Sequence, residues 1–228
     1  MDALLAAAIE AAGVEVPRVV LMPTAVARHR PDLAVDHGAR AFREAAGRAG
    51  VEVRVTAARL LVRADADSPG RALIAQLEGA HLVHLPGGDP DLIPAVLRGT
   101  EAWAAVLRAH AGGACVAGAS AGAMALAERL WTRDGPVDGL TLVPGISVLP
   151  HFAPERLGAW RAAVDGDGGR GIGAARALAW LGLDEQTLVI GRPGGTWTVA
   201  GRGRAYVIPV GAMAATRTAG PGESLLLE

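Results

Sequence analysis

An α/β fold with a mostly parallel sheet is the architecture predicted by three features of this 228-residue chain. Short apolar runs bounded by turn residues alternate with segments of helical period. The helical segments close near glycine, a common C-terminal stop. The repeated order strand, helix, strand leaves room for right-handed crossovers between parallel neighbours.

The elements follow in order. The opening MDALLAAAIEAAGVEV is helical; it carries Asp2 and Glu10 and no basic leader, so it does not read as a signal peptide. RVVLM (Arg18–Met22), VEVRV (Val51–Val55), HLVHL (His81–Leu85) and ACVAG (Ala114–Gly118) read as strands. LAVDHGARAFREAAGRAG, SPGRALIAQLEGA and TEAWAAVLRAHAGG read as the helices between them. After about Leu140 the rhythm changes. GLTLV and ISVL are short strand candidates separated by Pro144 and Gly145, and helical stretches follow over Pro154–Val164 and Ala174–Leu181. TLVIG, TWTVAG and RAYVIPV then read as strands, a C-terminal β extension of the main sheet. The segment DGDGGRGIG (Asp165–Gly173) reads as a flexible loop. Its G-x-G-x-x-G (Gly166, Gly168, Gly171) follows a helical segment, whereas a dinucleotide fingerprint follows a strand.

Composition narrows the function classes. Apolar residues make up 51% and charged ones 20%, which with this length fits a single well-packed domain over residues 1–228. The net charge of −1, without blocks of like charge, points away from nucleic acid and membrane surfaces. The uncharged run Gly112–Ala127 is short and broken by Gly and Ser, a poor membrane span. One cysteine, Cys115, forms no internal disulfide, which favours a cytoplasmic location. The chain has no lysine and no asparagine, which excludes Schiff-base and pyridoxal-phosphate chemistry, a P-loop lysine, a Ser-Lys dyad and a Cys-His-Asn triad. No cofactor and no metal site is expected: His81 and His84, three apart on one strand, point to opposite faces and make no ligand pair.

GASAG (118–122) is a G-x-S-x-G set between a strand and a helix, the context in which this motif marks a nucleophile. A strand turning abruptly into a helix crowds its own backbone, and Gly118, Ala119, Ala121 and Gly122 relieve that crowding. Ser120 then stands at the strand's carboxyl end beside the unpaired amides that open the helix, the Ala121 N–H among them. The competing reading is a serine that only caps the helix.

A serine nucleophile needs a base. His29 and His37 fall in a polar loop and helix start, and His110 ends a helix. His151, directly after ISVLP, sits at a strand end, on the rim where ligands bind in parallel sheets. The Ser120-to-His151 interval of 31 residues is too short to hold the acid-bearing elements of an α/β-hydrolase, so the acid follows the histidine. Glu155, Asp165, Asp167, Asp184 and Glu185 are the candidates.

Four landmarks in order, LPGGDPDLI, AGASAGAMAL, GLTLVPGISVLPHF and LGLDEQTLVI, resemble the serine peptidases of the aspartyl dipeptidase and cyanophycinase type, over about Arg18 to Ile208. The resemblance implies a flavodoxin-like sheet with helices on both faces, like that of class I glutamine amidotransferases, and a serine peptidase acting on a small peptide or isopeptide bond. By position it implies Ser120 as nucleophile, His151 as base and Glu185 as the acid, with Asp184 the alternative. It implies Gly88 and Ala121 as oxyanion amides, and Gly87 with Asp89 beside the substrate. It also implies a homodimer. Family members often carry Asn where this chain has Asp89, and an acidic rim favours a basic substrate group; a helix-capping role for Asp89 is the alternative. Members also open with a strand, where this chain opens on a helix. Two other functions fit the same elbow: an esterase-like hydrolase, and a non-catalytic relative serving as a binding module.

Overall fold

The computed structural model describes residues 1–132, 134–158, 179–209 and 216–227. They form two compact units, Met1–Ala123 and Met124–Glu228.

The first unit is wound as the alternation predicts. Helix α1 (Asp2–Ala12) precedes β1 (Arg18–Leu21), a 3-10 turn (Pro23–Val26), α2 (Pro31–Ala49) and β2 (Arg54–Ala57). Then come α3 (Arg63–Asp67), α4 (Arg71–Glu78), β3 (Leu82–Leu85), α5 (Leu92–Leu97), α6 (Glu101–Ala111) and β4 (Cys115–Gly118). The sheet order is β2-β1-β3-β4, with all three pairings parallel. The chain steps outward from β1 to β2 and then back past β1 to β3 and β4, so right-handed crossovers place α2 on one face and α4 and α6 on the other. This is the flavodoxin-like winding, and its switch point lies between β1 and β3, where ligands collect at strand carboxyl ends.

Local chemistry fixes the helices. Helix α2 starts with Pro31 at its first turn, buries Ala39, Phe42, Ala45 and Ala46 on one stripe, and stops at Gly50 with φ 68°. In α6 the Thr100 hydroxyl accepts from Trp103 N–H at 3.2 Å, an N-cap. The four residues of β3 are all buried, as a central parallel strand requires. The expected strand Val51–Val55 is displaced to Arg54–Ala57: its ladder begins opposite Arg18, where β1 begins after Pro17. Helices α3 and α5, too short for periodicity to reveal, lie in segments that read as connections in the sequence.

Helix α7 (Ala121–Leu126) carries the chain from the first unit into the second. It ends after six residues. Strands β5 (Ala127–Thr132) and β6 (Gly135–Asp138) follow as an antiparallel hairpin beyond the expected elements; the dipeptide Asp134-Gly135 is its signal in the sequence. GLTLV and ISVL are corrected to one strand, β7 (Val143–Leu149). Pro144 and Gly145 lie where the β5–β7 register shifts, the kind of irregularity that tolerates proline in a sheet. Leu140 and Thr141 instead bond back to Ala125 O and Ala127 O.

Beyond a 3-10 turn (Pro154–Arg156), most of the two expected helices and the Asp165–Gly173 loop lie outside the described residues. The end of the second helix is corrected: Ala179–Leu183 is strand β8, parallel to β7 and antiparallel to β11 (Ala205–Pro209). An apolar run such as AWLGL suits a buried strand and a buried helix equally. Strands β9 (Thr187–Ile190) and β10 (Thr196–Gly201) match TLVIG and TWTVAG, and β12 (Arg217–Ala219) and β13 (Ser224–Leu226) complete the chain. The C-terminal strands divide between two ladders, a six-stranded sheet β12-β11-β8-β7-β5-β6 and a three-stranded sheet β13-β10-β9.

Candidate active site

In the first unit the elbow is built from backbone crowding. Ser120 has φ 49°, left-handed and costly for a residue with a side chain. The sharp turn is set by small neighbours. A Cβ on Gly118 would lie 2.3 Å from the Gly122 carbonyl carbon, and one on Gly122 would lie 2.0 Å from Leu85 O. Ala119 N–H donates to Leu85 O at 2.9 Å, continuing the β3–β4 ladder, and Gly122 N–H donates to Ala119 O at 2.8 Å, closing the turn. Ala121, nearly fully buried, opens α7, where helix geometry leaves the first amides without intrahelical acceptors.

The Gly-Gly turn after β3 meets this elbow. A Cβ on Gly87 would sit 3.1 Å from the Ser120 Cβ. Gly88 has φ 151° and packs so tightly on the turn after β1 that a Cβ there would lie 2.3 Å from Ala25 O. Asp89 N–H donates to that same Ala25 O at 2.7 Å. Gly87, Gly88 and Ser120 are therefore brought together at the carboxyl ends of β3 and β4, beside the switch point.

Asp89 has a partner the sequence did not disclose. Its Oδ2 lies 3.1 Å from His29 Nε2, and nearby Arg28 pairs with Asp91 at 3.3 Å. His29 reads as solvated in sequence, and it is exposed, yet the turn Pro23–Val26 brings it against the residue that follows Gly88. No sequence pattern marks such a pair, since 60 residues separate its members.

In the second unit His151 and Glu185 meet: Nδ1 lies 2.6 Å from Oε1. A carboxylate only accepts, so Nδ1 carries a proton, and in the neutral ring the lone pair is then on Nε2. Both side chains are largely exposed, and His151 too is left-handed, with φ 53°. The neighbouring Asp184 is otherwise engaged. Its Oδ2 accepts from Arg204 N–H at 2.9 Å and from the Tyr206 hydroxyl at 3.5 Å. Burial, and then the Asp184 carboxylate, raise the Tyr206 phenol above its ordinary range.

The other histidines go elsewhere. His84 is buried edge-on against Phe42, ring centroids 5.6 Å apart, and its Nδ1 has no hydrogen-bond partner among the described residues. Burial pushes its imidazole down to about 4. His110 Nδ1 lies 2.9 Å from Ala114 O, and His81 Nδ1 accepts from Arg18 N–H at 3.2 Å. Among the described residues no group of three or more His, Cys, Asp or Glu is arranged to hold a metal ion, and no helix is long and apolar enough to cross a membrane.

These features define a flavodoxin-like α/β protein with a serine on a strand-to-helix elbow. The chain belongs to peptidase family S51, whose family model matches residues 3–190, and is by that membership a hydrolase of the peptidase class. Among solved structures it is similar to a peptidase from an acI-B1 Actinobacterium, with TM-score 0.74 and 24% identity over 98% of this chain and 88% of that one. It is also similar to a putative peptidase E protein from Listeria monocytogenes EGD-e, with TM-score 0.55 and 15% identity over 96% of this chain and 94% of the other. At those identities the likeness shows the fold. No curated protein matches the chain significantly.

Proposed function

We propose that this chain is a serine peptidase that hydrolyses a small peptide or isopeptide bond through an acyl-enzyme on Ser120. His151 Nε2 takes the Ser120 hydroxyl proton as Oγ attacks the carbonyl carbon. The carbonyl π pair moves onto oxygen and is received by the Gly88 and Ala121 N–H groups. Collapse expels the amine, protonated by His151, and leaves an ester on Ser120. Water, deprotonated by His151, then attacks the ester, and collapse releases the acid as His151 returns the proton to Ser120 Oγ. Glu185 stays a carboxylate throughout, holding the Nδ1–H tautomer and offsetting the imidazolium charge. Asp89 and Gly87 border the substrate, and the Asp89 carboxylate favours a basic group on it. A homodimer in the cytoplasm belongs to the same proposal.

The backbone at Ser120 carries this reading. A left-handed serine between two glycines with no room for a Cβ is costly to hold, and a helix cap needs no such conformation. Family membership and the His151–Glu185 bond support it.

The test is a dipeptide library with varied N-terminal residues, assayed with wild type and Ser120→Ala. Release of amino acids by wild type and none by the variant is expected. Turnover of p-nitrophenyl acetate with no peptide cleaved would make the protein an esterase-like hydrolase; no turnover of either would leave a binding module.

A further inference from the structure

The imidazole–carboxylate pair of the second unit poses a physical problem. The His151 and Glu185 side chains are 59% and 75% exposed. Exposed pairs of this kind are weak and are readily exchanged for water. A 2.6 Å contact on a left-handed backbone needs support from somewhere else.

That support lies under the pair. Phe152, next to His151, is buried, and its N–H donates to Leu183 O at 2.9 Å. Its ring lies over Gly182, so closely that a Cβ there would be 2.7 Å from the ring Cγ and within 3.0 Å of both δ carbons. Only glycine leaves that ring its place. The ring also packs against Tyr206, centroids 4.8 Å apart and planes inclined by 51°. Tyr206 reaches Asp184, the residue before Glu185, and Asp184 is bonded to the Arg204 backbone in both directions, at 2.9 and 3.1 Å. The buried Phe152 ring and the partly buried Tyr206 thus engage the residue after the histidine and the residue before the glutamate.

We propose that Phe152, seated on Gly182 and against Tyr206, is a positioning residue that keeps the His151 imidazole on Glu185 for proton transfer. The inference rests on the reading of His151 as the general base. Phe152 touches no reacting atom; it acts through the backbone it shares with His151. A glycine in the middle of an apolar strand is a sign of close approach by another group, and here the group is the ring.

The experiment compares wild type with Gly182→Ala and Phe152→Leu, each checked for cooperative thermal unfolding. Long-range ¹H–¹⁵N spectra report which ring nitrogen of His151 carries the proton, and peptide turnover gives kcat and KM. Wild type is expected to hold the Nδ1–H tautomer. Both variants should gain the Nε2–H form and lose kcat by about 10- to 100-fold, with KM within about twofold, as a small misplacement of a catalytic group does. Folded variants that keep the Nδ1–H tautomer and the wild-type kcat would overturn the proposal. If Gly182→Ala does not fold, Phe152→Leu decides by the same readouts. A tautomer shift in variants of a protein that cleaves no peptide would defeat the proposed function and leave the positioning intact. Peptide cleavage with no tautomer shift would do the reverse.

Discussion

The elbow of the first unit and the imidazole–carboxylate pair of the second are held by opposite means. At the elbow the backbone itself is the device: Gly118 and Gly122 leave no room for a Cβ, and the chain is wedged against Leu85 O. At His151–Glu185 the paired groups are exposed side chains flanked in sequence by the buried Phe152 and by Asp184, which is bonded to the Arg204 N–H. Two histidines show the same contrast. His84 is buried, neutral and unpaired at Nδ1, whereas His151 is exposed and bonded at Nδ1. Mutations at the elbow glycines should therefore register first as lost stability, and mutations at the pair as lost rate.

The largest expected effect is kinetic. Glu185→Gln should lower kcat on a peptide by roughly 10³- to 10⁴-fold, because an amide no longer fixes the tautomer, while stability stays within about 0.5 kcal/mol at so exposed a site. Steady-state kinetics with parallel urea denaturation checks both halves. Gly122→Ala should do the converse, destabilising the chain by more than about 3 kcal/mol, since the added carbon meets Leu85 O and backbone cannot yield cheaply.

A pH series sharpens the histidine contrast. Well above pH 6.5 His84 is neutral whether the chain is folded or not, and contributes no pH dependence. As the pH falls from 6.5 toward 4 the unfolded chain takes up a proton that the folded one refuses, so stability declines across that window and levels off below it. The loss should reach about 3 kcal/mol, and His84→Leu should abolish that share of it in urea denaturation at pH 7.5 and 4.5. The smallest effect is expected at the rim. Asp89→Asn should raise KM about 10-fold for a peptide with a basic N-terminal residue and leave an uncharged one unchanged, with fold and kcat intact. Equal KM changes for both peptides would remove Asp89 from the specificity of the site.

Much of this was legible because it is local. The alternation of apolar runs and glycine-stopped helices marks the doubly wound unit, and G-x-S-x-G after a strand marks the elbow. What stayed hidden depends on distant partners. The AWLGL run became a strand because β7 and β11 flank it, and the β5–β6 hairpin interrupts what local propensity continues as helix. Which of Asp184 and Glu185 bonds the His151 imidazole turns on the Arg204 N–H, which engages Asp184, and the Asp89 partner of His29 lies 60 residues away along the chain. Gly182 stands out in the sequence as a glycine within an apolar run, but neither the strand it occupies nor the ring above it can be read there.

The central claim is that Ser120 is a nucleophile, and covalent labelling tests it most directly. Incubated with a fluorophosphonate, the intact wild-type protein should gain the mass of one phosphonyl group, mapped by peptide sequencing to Ser120, with His151→Ala slowing the reaction and Ser120→Ala preventing it. An unlabelled wild type, under conditions that label a control serine hydrolase to completion, would contradict the account.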